Sequence, residues 1–372
     1  QAHGLLDQKG VSEIEVIITK ENTPFFFASN SEKSYPFDLF AASFYLVTRY
    51  EEYLPHLKDN YNRYKAEESL AYRYGFLEKP IVNIWIKEFI VSLKSNFSNL
   101  FVVAPKFKYI STIDIDTAFL YKGKGFVRSL AFLFRAVWSF DFKSLKSAFL
   151  VLAKRRKDPF DTYSLQINLQ KKYNIDVRYF ILLGDYGIND KNISYNNISF
   201  QALIKGLADL APVGIHPSFG SNIKQQKLFL EIKRLENIQK REISFSRQHF
   251  LQLSLPKTYV RLCDAGITDD FTMGYSNHLG FRAGIATKFL FYNLDTEQTL
   301  PITIHPFSIS DTVLRYSLDV RPDNAIQAIQ TIIDEVKRID GTLISVWHND
   351  TFSNIGDWKG WKNIYENMIK KI

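Results

Sequence analysis

With 372 residues, 46% of them apolar and 23% charged, the chain has an ordinary globular composition, long enough for two domains or for one large α/β domain with an appendage. A single cysteine, Cys263, excludes an internal disulfide framework and a cysteine-based zinc site, and no run of 18 apolar residues offers a membrane-crossing helix. The net charge of +8 is local: ten Lys or Arg against Asp141 alone lie between Phe119 and Lys157, so that stretch carries +9 and the rest −1, which argues against a general nucleic-acid binder.

The N-terminal Gln-Ala-His-Gly lacks the basic start and apolar core of a signal peptide, and the expected location is cytoplasmic, with membrane association open at the basic segment. Residues 1–105 read as a smaller α/β module. Ile14–Thr19 and Pro24–Phe27 are strand candidates, and Phe37–Glu52 has apolar residues at helical spacing. Asp38 falls in its first turn, where the helix dipole favours an anion. Ile81–Leu93, after Pro80, predicts a second helix. Arg49, Glu51, Glu52, Asp59 and Arg63 form a mixed-charge cluster that reads as structural ion pairing. The boundary near Pro105 rests on a change of pattern, since no Gly/Ser-rich hinge marks it.

From Lys106 short apolar strands alternate with helices. Strands are expected at Tyr109–Asp114, Val177–Leu183, Val213–His216, Glu242–Ser246, Tyr259–Leu262, Phe289–Tyr292, Ile302–His305 and Leu343–Trp347. Helices are expected at Tyr163–Lys172, Phe200–Leu210, Ile223–Arg241 and Ala325–Ile339. Such a succession predicts a distorted (β/α) barrel of about seven parallel strands over 106–372. An open doubly wound sheet competes, but no Gly-x-Gly-x-x-Gly turn follows the first strand.

That first strand, Tyr109-Ile-Ser-Thr-Ile-Asp-Ile-Asp-Thr117, ends in carboxylates at i and i+2, which share a face. Asp114 and Asp116 would repel each other unless a metal or a proton sits between them; alternatively they cap the following turn. Catalytic groups of such barrels sit at the C-terminal ends of strands. Asp114 and Asp116, His216, Arg247 with His249, His305 and His348 all fall there, and together they predict one site.

Five blocks then carry a likeness. They are Thr112-Ile-Asp-Ile-Asp-Thr117, Gly214-Ile-His-Pro-Ser-Phe-Gly-Ser221, Ser246-Arg-Gln-His249, Asp270-Phe-Thr-Met-Gly-Tyr275 with Gly280-Phe-Arg-Ala-Gly284, and Val346-Trp-His-Asn349. In this order they resemble the polysaccharide deacetylase family, carbohydrate esterase family four, which includes the nodulation-factor deacetylase homology domain. Residues 1–105, above all Arg49-Tyr-Glu-Glu52, look like an N-terminal module preceding this domain in some bacterial members. The resemblance implies a divalent-metal hydrolase, most simply a zinc enzyme, that removes an acyl group from an amino sugar. It implies Asp114 as general base, Asp116 and His216 as metal ligands, Arg247 orienting the base and His348 as general acid. Ser218, Ser221, Asp270, Tyr275, Arg282, Trp347 and Asn349 are expected to bind substrate, with Phe219 as a further wall for a sugar ring.

The chain departs from the family pattern in two places. Gly220 stands where a second metal-binding His is usual, and His249 where the third block commonly has Pro. His249 is therefore expected to share the cavity of Asp116 and His216, as third ligand or as hydrogen-bond partner of the bound acyl group; a weakly held or absent metal is the alternative. The Asp-x-Asp opening looks more like deformylases of lipid-linked amino sugars. The expected function is hydrolysis of an N-acyl, first of all N-acetyl, group on an amino-sugar polysaccharide or glycolipid. A glycan-binding barrel without activity and a deformylase are the rivals. The basic segment at 119–157 reads either as an anionic-membrane surface or as a helical hairpin packed over the barrel mouth.

Overall fold

The computed structural model describes residues 6–7, 10–11, 14–19, 23–29 and 35–372; the N-terminal Gln-Ala-His-Gly lies outside them. By contacts the chain divides into two compact units, Gln1–Tyr109 with Phe250–Ser345, and Ile110–His249 with Val346–Ile372.

After a two-residue strand pair, Leu6–Asp7 with Gly10–Val11, the first unit has β1 (Val16–Ile18) antiparallel to β2 (Pro24–Phe26). Helix α1 (Leu39–Val47) starts at Asp38, whose carboxylate accepts the Ala41 N–H at 2.9 Å, so this anion caps the helix rather than merely lying in its first turn. Helix α2 (Ile81–Asn96) follows Pro80 and buries Ile81, Val82, Ile84 and Trp85. Trp85 packs edge-on to Phe26 and donates its indole N–H to the Pro24 carbonyl at 2.8 Å, which satisfies the one polar atom of a fully buried ring.

The second unit is α/β. Strand β3 (Lys108–Ile115) crosses the division at Tyr109/Ile110 and is followed by two helices, α3 (Gly125–Trp138) and α4 (Phe142–Leu152). The buried carboxylate of Asp158 accepts the N–H groups of Leu120, Tyr121 and Lys122 at 2.7, 2.9 and 3.1 Å, which ties the two ends of this insertion together. Helix α5 (Tyr163–Tyr173), β4 (Asp176–Ile181), α6 (Ile198–Ala208), β5 (Val213–Ile215), α7 (Gln225–Gln239) and β6 (Phe245–Ser246) complete the strand–helix run. Strands β3 to β6 pair in parallel, in sequence order. Buried Ile113, Ile115, Tyr179, Phe180, Ile181 and Ile215 on these strands form its core. This is the α/β class of parallel strands with crossover helices that the pattern predicts.

Gly214 sits in β5 because nothing larger fits. A Cβ there would lie 2.4 Å from the Phe245 ring and 2.6 Å from the Phe245 carbonyl oxygen on β6. Gly214→Ala is expected to cost about 1–3 kcal/mol, as overpacking does. Urea unfolding would measure it, and an unchanged midpoint would contradict this packing.

Back in the first unit, α8 (Lys257–Asp264) takes in Tyr259–Leu262, which the sequence reading made a strand. Thr258, Tyr259 and Leu262 are the buried positions, a helical spacing that a four-residue window with three apolar side chains cannot distinguish from a strand. A short strand that the reading did not include, β7 (Asp269–Asp270), pairs in parallel with β9 (Gln298–Ile304). β8 (Phe289–Asn293) and β9 are antiparallel, another departure from the all-parallel expectation, because the four residues between them can close a hairpin but not a crossover. Helix α9 (Pro322–Arg338) has Pro at its start, Asp323 in its first turn and Lys337 and Arg338 in its last. Strand β10 (Thr342–His348) carries the chain back into the second unit, where α10 (Lys362–Lys371) ends it.

The mixed-charge cluster of the first unit is ion-paired, and its Arg49, Glu51 and Glu52 are buried. Arg49, in the left-handed region at φ 57°, lies 2.8 Å from Glu52 and 3.2 Å from Glu51. Arg282 grips Glu52 with Nε at 2.8 Å and Nη2 at 2.6 Å. Arg63 and Asp59 form a separate pair at 2.7 Å.

Candidate active site

All groups that converge at the end of β3 belong to the second unit. Asp114 is buried on β3, and Asp116 lies just past the strand end. The first turn after β5 brings His216 Nε2 to 3.2 Å from Asp116 Oδ1 and 3.9 Å from Asp114 Oδ2. The turn after β6 brings His249 Nε2 to 3.5 Å from Asp116 Oδ2. His348, ending β10, has Nε2 4.0 Å from the same oxygen. Five residues from four strand ends thus meet within one carboxylate's reach.

Hydrogen bonding fixes how the two inner imidazoles point. His216 Nδ1 lies 2.5 Å from the Arg247 carbonyl oxygen, which can only accept, so Nδ1 carries the proton. His249 Nδ1 lies 2.9 Å from Asp190 Oδ1, again an acceptor. In their neutral forms both rings therefore turn an Nε2 lone pair toward the Asp116 carboxylate. In those forms acceptors face acceptors at 3.2 and 3.5 Å, an arrangement that a metal ion or a proton on Nε2 resolves, and Asp116 Oδ1 is buried with no hydrogen-bond partner. Asp116, His216 and His249 each offer one ligand atom, all within 4.8 Å of one another. Two histidines and a carboxylate, with each histidine's far nitrogen anchored by an oxygen, are a fitting donor set for a tetrahedral divalent ion with one open position.

Without an ion the charges rearrange in the same sense. Burial would push the His249 imidazolium down, but Asp116 and Asp190 outweigh it and hold it up to about 9. Burial would likewise raise Asp116, yet His249 and His216 hold it well below the ordinary carboxylate range.

Asp190 escaped the sequence reading. It lies in the loop after β4, and its carboxylate accepts the Phe219 N–H at 2.9 Å and the Gly220 N–H at 3.5 Å while it holds His249. The turn at Gly220, which lacks a ligand of its own, thus supports the carboxylate behind another. Extending the strand-end rule to β4 would have drawn attention to Asp185 and Asp190.

Arg247 is fully buried, with Nη1 at 2.6 Å from Thr112 Oγ1 and 3.3 Å from Asp114 Oδ1, and its guanidinium lies over the Phe180 ring. The base candidate is therefore held by a charge from behind, its other oxygen turned toward His216.

Other residues expected at the substrate have different occupations. Ser218 accepts the Ser221 N–H and donates its hydroxyl to Glu231 at 2.5 Å, while Ser221 donates its own to the Ser218 carbonyl. These are turn bonds. Trp347 is fully buried against Tyr365 and Phe352, a core ring and not a sugar wall. Asn349 donates to the carbonyls of Thr117 and Phe160 and so fastens two loops. Asp270, Tyr275 and Arg282 belong to the first unit and are buried there: Asp270 accepts from Thr272, and Arg282 is bound to Glu52 and to the Gly274 carbonyl. His305, also of the first unit, pairs with Asp269 at 2.7 Å and stacks on Phe271. Motif residues that recur for packing reasons look the same in sequence as those that touch a ligand.

Glu231 is buried at 1% exposure, and its pKa rises to about 7, chiefly through burial and against the bonds from Ser218. A carboxyl raised in the fold stabilises fully below its unfolded value near 4.5 and loses that contribution as pH climbs through about 7. At about 1.4 kcal/mol per pH unit, stability should fall by roughly 3 kcal/mol across that window, and Glu231→Gln should flatten the profile. Thermal unfolding at several pH values checks it; parallel profiles for the two proteins would refute it.

Residues 1–98 match a family described as a family of unknown function (DUF7033). No curated protein sequence matches the chain significantly. Among solved structures it is similar to a candidate polysaccharide deacetylase from Mycobacterium smegmatis, at 12% identity over 73% of this chain and 86% of that one, with TM-score 0.44. An allantoinase, at 7% identity over 70% and 83%, gives TM-score 0.42. The polysaccharide deacetylase of Bacillus cereus, at 12% identity over 71% and 86%, gives 0.35.

Proposed function

We propose that the chain is a metal-dependent amidohydrolase that removes the N-acyl group, first of all acetyl, from an amino sugar in a polysaccharide or glycolipid. The observation that carries the chemistry is the convergence of Asp116, His216 and His249 lone pairs beside an Asp114 held by Arg247. The amino-sugar substrate rests on the likeness of the five sequence blocks to polysaccharide deacetylases. Residues 1–105 are an accessory module in this reading.

Asp116, His216 and His249 would hold the ion, which would supply Lewis acidity when bound. Asp114 takes the proton of the attacking water. Arg247 keeps that carboxylate aimed, its buried guanidinium lying 3.3 Å from Asp114 Oδ1. His348, on the neighbouring strand end and partly exposed, gives a proton to the departing amine. Each transfer is worth about 10²–10⁴ in rate. Asp190 keeps Nδ1 of His249 protonated and its ring fixed.

The test pairs metal analysis with acyl release. Purified protein should hold about one zinc-class ion per chain and free acetate from N-acetylated amino-sugar oligosaccharides; formate from N-formyl substrates would select the deformylase, and metal-free protein that binds glycan without turnover would select the binding barrel. Asp190→Asn should weaken metal affinity about 10–100-fold with the three ligands intact. Equal affinity in titration calorimetry would remove Asp190 from the scheme.

A further inference from the structure

The insertion between β3 and α5 has an apolar outer face of unusual size. Along α3, Phe126, Leu130, Leu133, Phe134, Val137 and Trp138 recur every three or four residues and so line one side of the helix. All six are exposed, Phe126 at 82%, Phe134 at 70% and Trp138 at 79%. The packed side is a different stripe, through Phe132 and buried Ala136. On α4, Phe142 and Phe149 are exposed at 66% and 65%, while Ala148 and Val151 face inward. Rings pair across this outer surface, Phe134 with Trp138 and Phe140 with Phe142.

Around these rings the charge has one sign. Arg135, Lys143, Lys146, Lys154, Arg155 and Arg156 are exposed on the same two helices and the turn after α4, against Asp141 alone. A face meant for water would not carry eight aromatic and aliphatic side chains, and a face meant for another apolar protein surface would not be ringed by cations. Neither helix crosses a bilayer: α3 has 14 residues, about 21 Å at 1.5 Å each against a hydrocarbon core of about 30 Å, and among the described residues no helix is long and apolar enough.

We propose that the α3–α4 hairpin docks flat on an anionic lipid bilayer, with its aromatic face in the headgroup–acyl boundary and its Lys and Arg side chains on the phosphates. The sequence also allowed a helical hairpin packed over the barrel mouth with solvated lysines; whatever the hairpin packs on, these exposed rings are not the face it uses. Arg128 anchors the hairpin to the body of the unit, donating to the carbonyls of Asn192 and Lys191 at 2.9 and 3.0 Å. These are the next residues after Asp190, so Arg128 links the hairpin to the loop behind His249 by hydrogen bonds. The inference stands on surface chemistry and does not depend on the reading of the site.

The protein reports on its own docking. Of the five tryptophans, Trp85, Trp347, Trp358 and Trp361 are buried and Trp138 is the exposed one. The full chain is mixed with phosphatidylcholine vesicles with and without phosphatidylglycerol, at low and high salt, and both sedimentation and tryptophan emission are read. Expected are sedimentation with anionic vesicles at low salt, release at high salt, and a blue shift that Trp138→Phe abolishes. Lys143→Gln and Lys146→Gln should each weaken partition about fivefold. Phe126→Ser with Phe134→Ser should abolish it, with the far-ultraviolet circular dichroism spectrum unchanged because both side chains are exposed. Equal partition to neutral and anionic vesicles, or no blue shift, would overturn the proposal. So would a dimer in solution that the Phe126→Ser, Phe134→Ser protein no longer forms, with no vesicle binding by the original chain.

Discussion

Asp116→Ala and His216→Ala should each yield a protein without bound metal and without deacylase activity. A catalytic site with three protein ligands and one open position cannot spare a ligand, and here every ligand has a separate reason to be irreplaceable. Asp116 is the only carboxylate that meets both imidazoles, at 3.2 and 3.5 Å, among the described residues. His216 is locked by its bond to the Arg247 carbonyl, which aims its Nε2 at Asp116. Losing the ion removes several kcal/mol of transition-state stabilisation, on the order of 10³-fold in rate or more. The check is metal content after dialysis together with acetate release. Both variants retaining a full equivalent of metal would end the assignment. His249→Ala separates the two roles considered for that residue. As a ligand its loss empties the site, whereas as an acyl-group partner its loss raises KM and leaves the metal in place.

The largest stability effect is expected in the first unit, at Glu52. Its carboxylate receives Arg49 and both nitrogens of Arg282, with all three side chains at most 3% exposed. Glu52→Ala would leave two guanidinium groups buried with Glu51 as remaining counter-charge. Removing one partner of such a buried pair costs about 3–5 kcal/mol. Burial pushes the Glu52 carboxyl up, but Arg282 and Arg49 override it and lower it to about 2. Because the folded value lies below the unfolded one near 4.5, the contribution is complete above that pH and disappears as pH falls toward 2. Urea unfolding near neutrality and in acid measures both statements. A variant as stable as the parent at neutral pH would show that the network stabilises nothing.

Much of this was legible in the residues, and the divisions follow from physics. The carboxylates of Asp114 and Asp116 could be placed because strand alternation is a local rule, and His249 because sequential parallel strands are neighbours. Arg49, Glu51 and Glu52 could be read as ion pairs because opposite charges two and three apart in a turn have few other partners. Asp190 was legible only as a candidate beyond the end of β4: its role depends on a loop conformation that brings Phe219 and Gly220 N–H groups to it, and loops carry no periodicity. Tyr259–Leu262 was misread because a window of four residues, three of them apolar, fits either period. Trp347 and Tyr275 were misjudged for a different reason, since an aromatic in a motif says nothing about which side of the wall it faces. The exposure of the α3 rings was equally hidden, because an amphipathic pattern gives a stripe but not its occupant.

The carboxylate of Asp158 has a consequence for how such a protein can change. By gathering the N–H groups of Leu120, Tyr121 and Lys122 it makes the root of the hairpin narrow, so the segment from about 122 to 157 leaves and re-enters the body at nearly one point. A segment with adjoining ends can be excised or exchanged at little closure entropy, since that cost grows only with the logarithm of loop length. Asp114, Asp116, His216 and His249 lie outside it. The hairpin is in this sense a cassette: a chain could gain, lose or swap its surface address in one genetic step while the catalytic framework went on folding as before.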